Sequence, residues 1–159
     1  AKKLNIPIIA DPKLTGLHRT HEVDWIIFQS RGFELMKRRI GEPDDTIAAQ
    51  SLIQSYGWKH LVVLAGGNGV TIYSKEEDTV HAPCTLPQLR QAIGLIDAAV
   101  VAIAVSISNG FSVSDTTLLT NAACECILSA EATDSFSLSK DMLIHRVGEI
   151  AWNLQVSKR

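Results

Sequence analysis

The sequence predicts an α/β protein, with a mostly parallel sheet and helices on its faces. Short apolar runs bounded by turn residues alternate with stretches of helical period, as a parallel sheet requires. Trp25-Ile26-Ile27-Phe28 and Leu61-Val62-Val63-Leu64 are apolar without interruption, the pattern of strands covered on both faces. A length of 159 residues with 46% hydrophobic content is enough for one domain with a proper core.

Taken in order, Ile6-Pro7-Ile8-Ile9-Ala10 reads as a first strand ending at Asp11-Pro12, and Trp25-Ile26-Ile27-Phe28 as the second. Residues 33–40 read as a helix stopped by Gly41. Asp44 or Asp45 caps the next helix, which carries Ala48, Leu52 and Tyr56 at four-residue spacing and meets Gly57 at its C-terminal end. Leu61-Val62-Val63-Leu64 is a buried strand, and the turn Gly66-Gly67-Asn68-Gly69 joins it to Val70-Thr71-Ile72-Tyr73 as a hairpin. Residues 80–83 form another short strand. Three helices follow. The first begins after Asp97, ends near Asn109-Gly110, and is apolar on every side, which predicts burial all round. Ser114 caps the second, from Asp115 to about Ser129. Ser139 caps the third, whose Leu143, Val147, Ile150 and Leu154 form one apolar stripe. Residues 130–137 are a polar connection. With no repeat, low-complexity tract or linker, residues 1–159 read as one domain.

A net charge of −2 supplies no basic field for nucleic acid or an anionic membrane. Lys37-Arg38-Arg39 reads as a solvated helix face, and the apolar run of residues 98–105 is too short to span a bilayer. The opening residues lack the pattern of a signal peptide. Three cysteines, Cys84, Cys124 and Cys126, are an odd number without framework spacing; they read as reduced core thiols in a cytoplasmic protein. The five histidines include no His-x-x-x-His pair, so no metal site is expected. Trp25, Trp58 and Trp152 read as core or interface anchors.

Gly94-Leu95-Ile96-Asp97 carries the chemistry. A glycine turn delivers a carboxylate to the start of an apolar helix, where unpaired backbone N–H groups and the macrodipole favour an anion. An aspartate there could deprotonate a hydroxyl beside a bound phosphate. It is equally an ordinary first-turn residue. The glycines at 66, 67 and 69 could cradle phosphates or serve only the hairpin. Lys13, at a strand's C-terminal end, could meet a substrate phosphate or stand in water.

The order of these segments resembles the C-terminal half of the ribokinase-like (PfkB) sugar kinases, across nearly the whole chain. Asp11-Pro12-Lys13 after a strand is similar to that family's Asp-Pro-Lys, and Leu64-Ala65-Gly66-Gly67-Asn68-Gly69 to its nucleotide turn. Gly94-Leu95-Ile96-Asp97 falls where the family has Gly-Ala-Gly-Asp, and Thr120-Asn121-Ala122-Ala123 resembles the helix near the adenine. The resemblance implies a partial three-layer ribokinase-like fold. It implies Asp97 as catalytic base, an anion hole at Gly94, Leu95 and Ile96, and nucleotide contacts at Gly66, Gly67, Asn68, Gly69 and Asn121. Lys13 would face a substrate phosphate. The implied reaction is phosphoryl transfer from ATP, with Mg²⁺, to a hydroxyl of a sugar or heptose-like sugar phosphate.

The departures point the other way. The last glycine of the anion hole is Ile96, whose branched side chain fills space and disfavours positive φ. Gln91 stands where the family has an acidic residue linked to a monovalent cation. Gln29-Ser30-Arg31-Gly32 stands where it has Asn-x-x-Glu, and Leu64 replaces the threonine of the nucleotide turn. Phosphoryl transfer rests on positioning and charge neutralisation, which these changes weaken. The rival expectation is therefore a degenerate kinase fold that binds nucleotide or protein without catalysis. Because an open sheet edge would be left at the first strand, either reading expects a homo-oligomer or a separate N-terminal half as partner.

Overall fold

In the computed structural model of the chain, Trp25–Gln29 (β2) lies between Ile9–Ala10 (β1) and His60–Leu64 (β3) and runs parallel to both. The structure describes residues 1–131 and 137–156, without the side chains of Lys2, Leu14 and residues 152–156. Residues 1–65 and 71–81 form one compact unit, and residues 66–70 and 82–159 a second.

The first unit is built on the sheet, whose strands are ordered β1-β2-β3-β4-β5, with Val70–Ser74 as β4 and Val80–Ala82 as β5. The uninterrupted apolar runs are buried as their pattern requires: Ile26, Ile27, Leu61 and Val62 are all fully inaccessible. β4 turns back along β3, because Lys75 N–H donates to Lys59 O and His60 Nδ1 lies 2.9 Å from Ser74 Oγ. This is the expected hairpin. β1 is shorter than expected. Pro7 has no N–H, and the Ile8 N–H goes to the Asp24 carboxylate at 2.8 Å, so ladder pairing starts only at Ile9.

Helices Ser30–Ile40 (α1) and Asp45–Tyr56 (α2) connect β2 to β3. α1 starts three residues earlier than its apolar period suggests and ends on Gly41 in the left-handed region at φ 73°. Asp44 caps α2 by accepting from Ile47 N–H, and Gly57 at φ 71° ends it. Phe33 and Met36 of α1 pack with Ala48, Leu52 and Ile53 of α2 against Ile26, Phe28, Leu61 and Val63. Trp58, fully buried, closes this core and donates its indole N–H to Thr20 O at 2.7 Å. Trp25 is also a core residue, stacked on His60 at 4.0 Å between ring centres. Trp152 and Leu154 lie outside the described side chains.

The second unit is a layer of three helices, Leu95–Ser108 (α3), Val113–Ser129 (α4) and Lys140–Val156 (α5), with α4 packed against both neighbours. Ala98 and Ala102 of α3 meet Ala123 and Ile127 of α4 in one apolar cluster. The helix buried all round is α4, not α3. Every residue from Thr120 to Leu128 is buried, whereas Val101 and Val105 of α3 are 56% and 44% exposed. The sequence pattern misleads because polarity does not decide burial where polar groups are paired inside; among the described residues only the buried Thr120 hydroxyl lacks a partner. Thr116 and Thr117 return their hydroxyls to backbone carbonyls one turn back, and Asn121 and Glu125 find partners described below. The cap of α4 is Ser112 rather than Ser114: Ser112 Oγ accepts from Asp115 N–H at 3.1 Å and donates to the Asp115 carboxylate at 2.6 Å. Ser139 caps α5 as expected, accepting from Met142 N–H at 3.2 Å. Of the polar connection, residues 132–136 lie outside the described residues. Among the described residues no helix is long and apolar enough to cross a membrane.

Candidate functional site

The glycine loop, the Gly94–Asp97 turn and Asn121 all belong to the second unit. Gly94 is the N-cap of α3 at φ 83°, and open space surrounds the position where a Cβ would stand. Glycine is therefore required there by backbone conformation, not by crowding. Leu95 N–H bonds back to Ala92 O, whereas the amides of Ile96 and Asp97 belong to a first helical turn that offers them no internal acceptor. Leu95 is buried, Ile96 half-buried, and the Asp97 side chain exposed. An exposed carboxylate beside unpaired helix amides can accept a proton from a hydroxyl next to a bound anion.

The segment before this turn is pinned to the C-terminal end of α4. Arg90 N–H donates to Leu128 O at 2.8 Å, and Gln91 Nε2 donates to Ile127 O at 2.8 Å. Gln91 Oε1 in turn accepts from Ile93 N–H at 2.8 Å. A glutamine thus braces the turn by donating one bond and accepting another, which a carboxylate in its place could not do.

The glycine loop forms a single tight turn over Gly66–Asn68, closed by Gly69 N–H to Gly66 O at 3.0 Å. Gly67 and Asn68 are exposed. Gly69 has φ 89°, and a Cβ there would overlap Ala82 O and stand 2.7 Å from Cys84 N. Its absence of side chain is a packing requirement. The 82–84 backbone that it touches is held from α4: Asn121, 1% exposed, donates from Nδ2 to Pro83 O at 3.1 Å and to Glu125 Oε1 at 3.2 Å. Asn121 thus acts within the protein, on the segment beneath the loop. Lys13 lies in the first unit, exposed, at the start of a short helical turn after β1.

Sequence reasoning missed the most strongly bonded group of this unit. Glu125 is fully buried and receives Thr85 N–H at 2.6 Å, Thr85 Oγ1 at 3.1 Å and Arg146 Nε at 2.6 Å, with Arg146 Nη2 paired to it as well. The signal was available: a lone charge in the otherwise uncharged run of residues 116–130. The cysteines are free; Cys124 and Cys126 are buried core residues, whereas Cys84 is only half-buried. Burial pushes the Cys124 thiol up to about 12, with the Glu125 charge adding to the effect, so it is inert at neutral pH. Among the described residues no three His, Cys, Asp or Glu side chains converge as metal ligands.

No protein-family model matches the chain. Its sequence is 24% identical over 138 residues to the Bifunctional protein HldE of Aliivibrio fischeri, a match covering 86% of this chain and 29% of that protein. HldE of Photobacterium profundum matches at the same identity and coverage. Among solved structures, the ribokinase of Thermotoga maritima superposes with a TM-score of 0.78 at 20% identity, covering 92% of this chain and 50% of the kinase. Phosphofructokinase-2 from Escherichia coli, solved with substrates and products, gives 0.76 at 18% identity over 94% of this chain and 49% of its own. Arabidopsis thaliana ribokinase complexed with ribose and ATP gives 0.76 at 16% identity over 92% and 49%. The chain spans about half the length of these solved kinases and less than a third of the HldE proteins. The shared order of strands and helices, at these scores, establishes that the chain has a ribokinase-like α/β fold of the carbohydrate-kinase type.

Proposed function

We propose that this chain supplies the nucleotide side of a sugar-kinase site, in which ATP donates its terminal phosphoryl group to a hydroxyl of a sugar or heptose-like sugar phosphate. The observation that carries the reading is the Gly94–Asp97 turn: a left-handed glycine in open space, two helix amides without internal acceptors, and an exposed carboxylate next to them. Asp97 takes the proton of the acceptor hydroxyl as its oxygen bonds to the γ-phosphorus. The bond from that phosphorus to the bridging oxygen breaks, and ADP leaves. The amides of Ile96 and Asp97 hold the transferred group, and Gly66, Gly67 and Asn68 lie along the nucleotide. Gly69 and Asn121 serve indirectly, by seating the loop on residues 82–84. Lys13 offers a charge to a phosphate of the acceptor. Mg²⁺ would enter on the ATP phosphates, since the described residues present no converging carboxylates to hold it alone. The acceptor side is completed by a second copy or by a separate N-terminal half, working in the cytoplasm.

The test is sugar-dependent ADP release with Mg²⁺–ATP, measured alongside calorimetry of nucleotide binding. Asp97→Asn should abolish turnover while leaving nucleotide affinity within about twofold, the pattern of a group used in the transition state. Robust turnover by that variant would remove Asp97 from the role. A second reading has its own support: Ile96 narrows the anion turn, and Gln91 is committed to Ile127 O and Ile93 N–H. It takes the chain as a degenerate kinase fold that binds nucleotide or protein without catalysis. Nucleotide binding without turnover under every acceptor tried, even with an N-terminal half supplied, would favour it.

A further inference from the structure

Glu125 is a fully buried carboxylate on α4 whose partners, besides Asn121 on the same helix, come from two other segments. Thr85 gives it a backbone N–H at 2.6 Å and a hydroxyl at 3.1 Å, and Arg146 of α5 gives it Nε at 2.6 Å and Nη2. Arg146 Nη2 also donates to Thr85 Oγ1 at 2.8 Å, and Nη1 to Glu149 at 2.7 Å, so its planar fork ties α4, α5 and the 82–85 segment into one knot. A buried charge of this kind tolerates loss of its partner poorly, because the carboxylate must then draw in water or move its other ligands. The other partner it has outside α4 is the segment bearing Thr85.

That segment is also the seat of the glycine loop. Gly69 lies so near the 82–84 backbone that no Cβ fits between them, and Leu89, further along the same segment, covers the Gly67 Cα at 3.3 Å from where its Cβ would stand. Asn121 bonds both Pro83 O at 3.1 Å and Glu125 at 3.2 Å, so the knot and the seat share a residue. The apolar anchoring of α5 is separate. Leu143 packs on the cluster of Ala98, Ala102, Ala123 and Ile127, and its side chain carries no polar atom to join the ionic group.

We propose that Arg146 is a positioning residue: through Glu125 and Thr85 it fixes residues 82–85 and hence the glycine loop, so that the seating of α5 governs nucleotide affinity. The affinity clause rests on the nucleotide reading given above; the control of loop conformation does not.

The experiment uses the full chain and four proteins: wild type, Arg146→Met, Arg146→Lys and Leu143→Ala. Amide hydrogen exchange over residues 66–70 and 82–85 reads the loop directly, and calorimetry with Mg²⁺–ATP reads affinity. Arg146→Met should speed exchange in both segments by about tenfold and weaken ATP by a similar factor, with Arg146→Lys between it and wild type. Leu143→Ala should lower the melting temperature yet leave loop exchange within about twofold, which a merely stabilising role for Arg146 could not reproduce. Unchanged loop exchange in Arg146→Met, or equal acceleration in Leu143→Ala, overturns the proposal. If Arg146→Met does not fold, Arg146→Lys decides: a few-fold acceleration supports the proposal, and none refutes it. Absence of ATP binding by wild type would defeat the nucleotide reading and the affinity clause, while the exchange pattern still decides whether Arg146 sets the loop.

Discussion

Gly69→Ala and Gly94→Ala form a matched pair that isolates one physical effect. Both glycines sit in the left-handed region, at φ 89° and 83°. An alanine there costs about 1–2 kcal/mol from the contact of Cβ with the backbone. At Gly94 nothing else is added, because the space around the new methyl is open. At Gly69 the methyl overlaps Ala82 O and stands 2.7 Å from Cys84 N and 2.9 Å from Pro83 C. These are backbone atoms and cannot rotate aside. Moving them strains or breaks the bonds from Asn121 to Pro83 O and from Thr85 N–H to Glu125, each worth about 1 kcal/mol or more. Gly69→Ala should therefore cost about 3–4 kcal/mol and Gly94→Ala about 1–2, a gap of about 2 kcal/mol. Urea denaturation followed by circular dichroism, with slopes compared between variants, measures both. Equal losses would show that the approach of residue 69 to residues 82–84 imposes no constraint in solution, and the account of the loop's seat would fall.

Trp58→Phe should cost about 1–3 kcal/mol, since it removes the indole partner of Thr20 O and leaves a gap in the first unit's core; a melting curve within error of wild type would contradict this. Burial, aided by the charge of Lys59 and opposed by that of Asp24, pushes His60 down to about 4 from 6.5. The unfolded chain then binds a proton that the folded chain refuses, so the contribution of His60 to stability is full above about pH 6.5. It is lost as pH falls toward 4 and changes no further below that. The difference in stability between wild type and His60→Gln should fall across that window, and a flat difference would refute the assignment. Cys124 should resist a thiol reagent at pH 7.5 in the folded chain and react on unfolding; equal rates in both states would contradict its burial.

Local signals were enough for much of this molecule. Asp44, Gly41 and Gly57 announce their helix ends because capping chemistry depends only on near neighbours, and the structure places each in that role. The runs at 25–28 and 61–64 could only be strands covered on both faces. The glycine turn that delivers Asp97 to a helix start was likewise legible, whereas the left-handed conformation of Gly94 and the start of α3 at Leu95, before Asp97, were not.

Other features depend on partners far along the chain. The Ile8 N–H is drawn from the ladder to the Asp24 carboxylate, which shortens β1, while its carbonyl still accepts from Trp25 N–H. The burial of α4 rather than α3 follows from packing between two helices, with Asn121 and Glu125 satisfied by Pro83, Thr85 and Arg146. No hydropathy pattern reports that a carboxylate will meet an arginine twenty-one residues away, at 2.6 Å. The same holds for Gly69, which as a sequence is a hairpin glycine and in space is the point where two backbones touch. The sequence by itself determined the fold class, the helix ends at Gly41, Asp44 and Gly57 and the glycine turn before Asp97, because these rest on periodicity and on neighbours; the start of α1 and the cap of α4 it misplaced. Only the tertiary structure decided which helix is central and what the loop rests on, because the buried Asn121 and Glu125 are satisfied only where distant segments bring their partners.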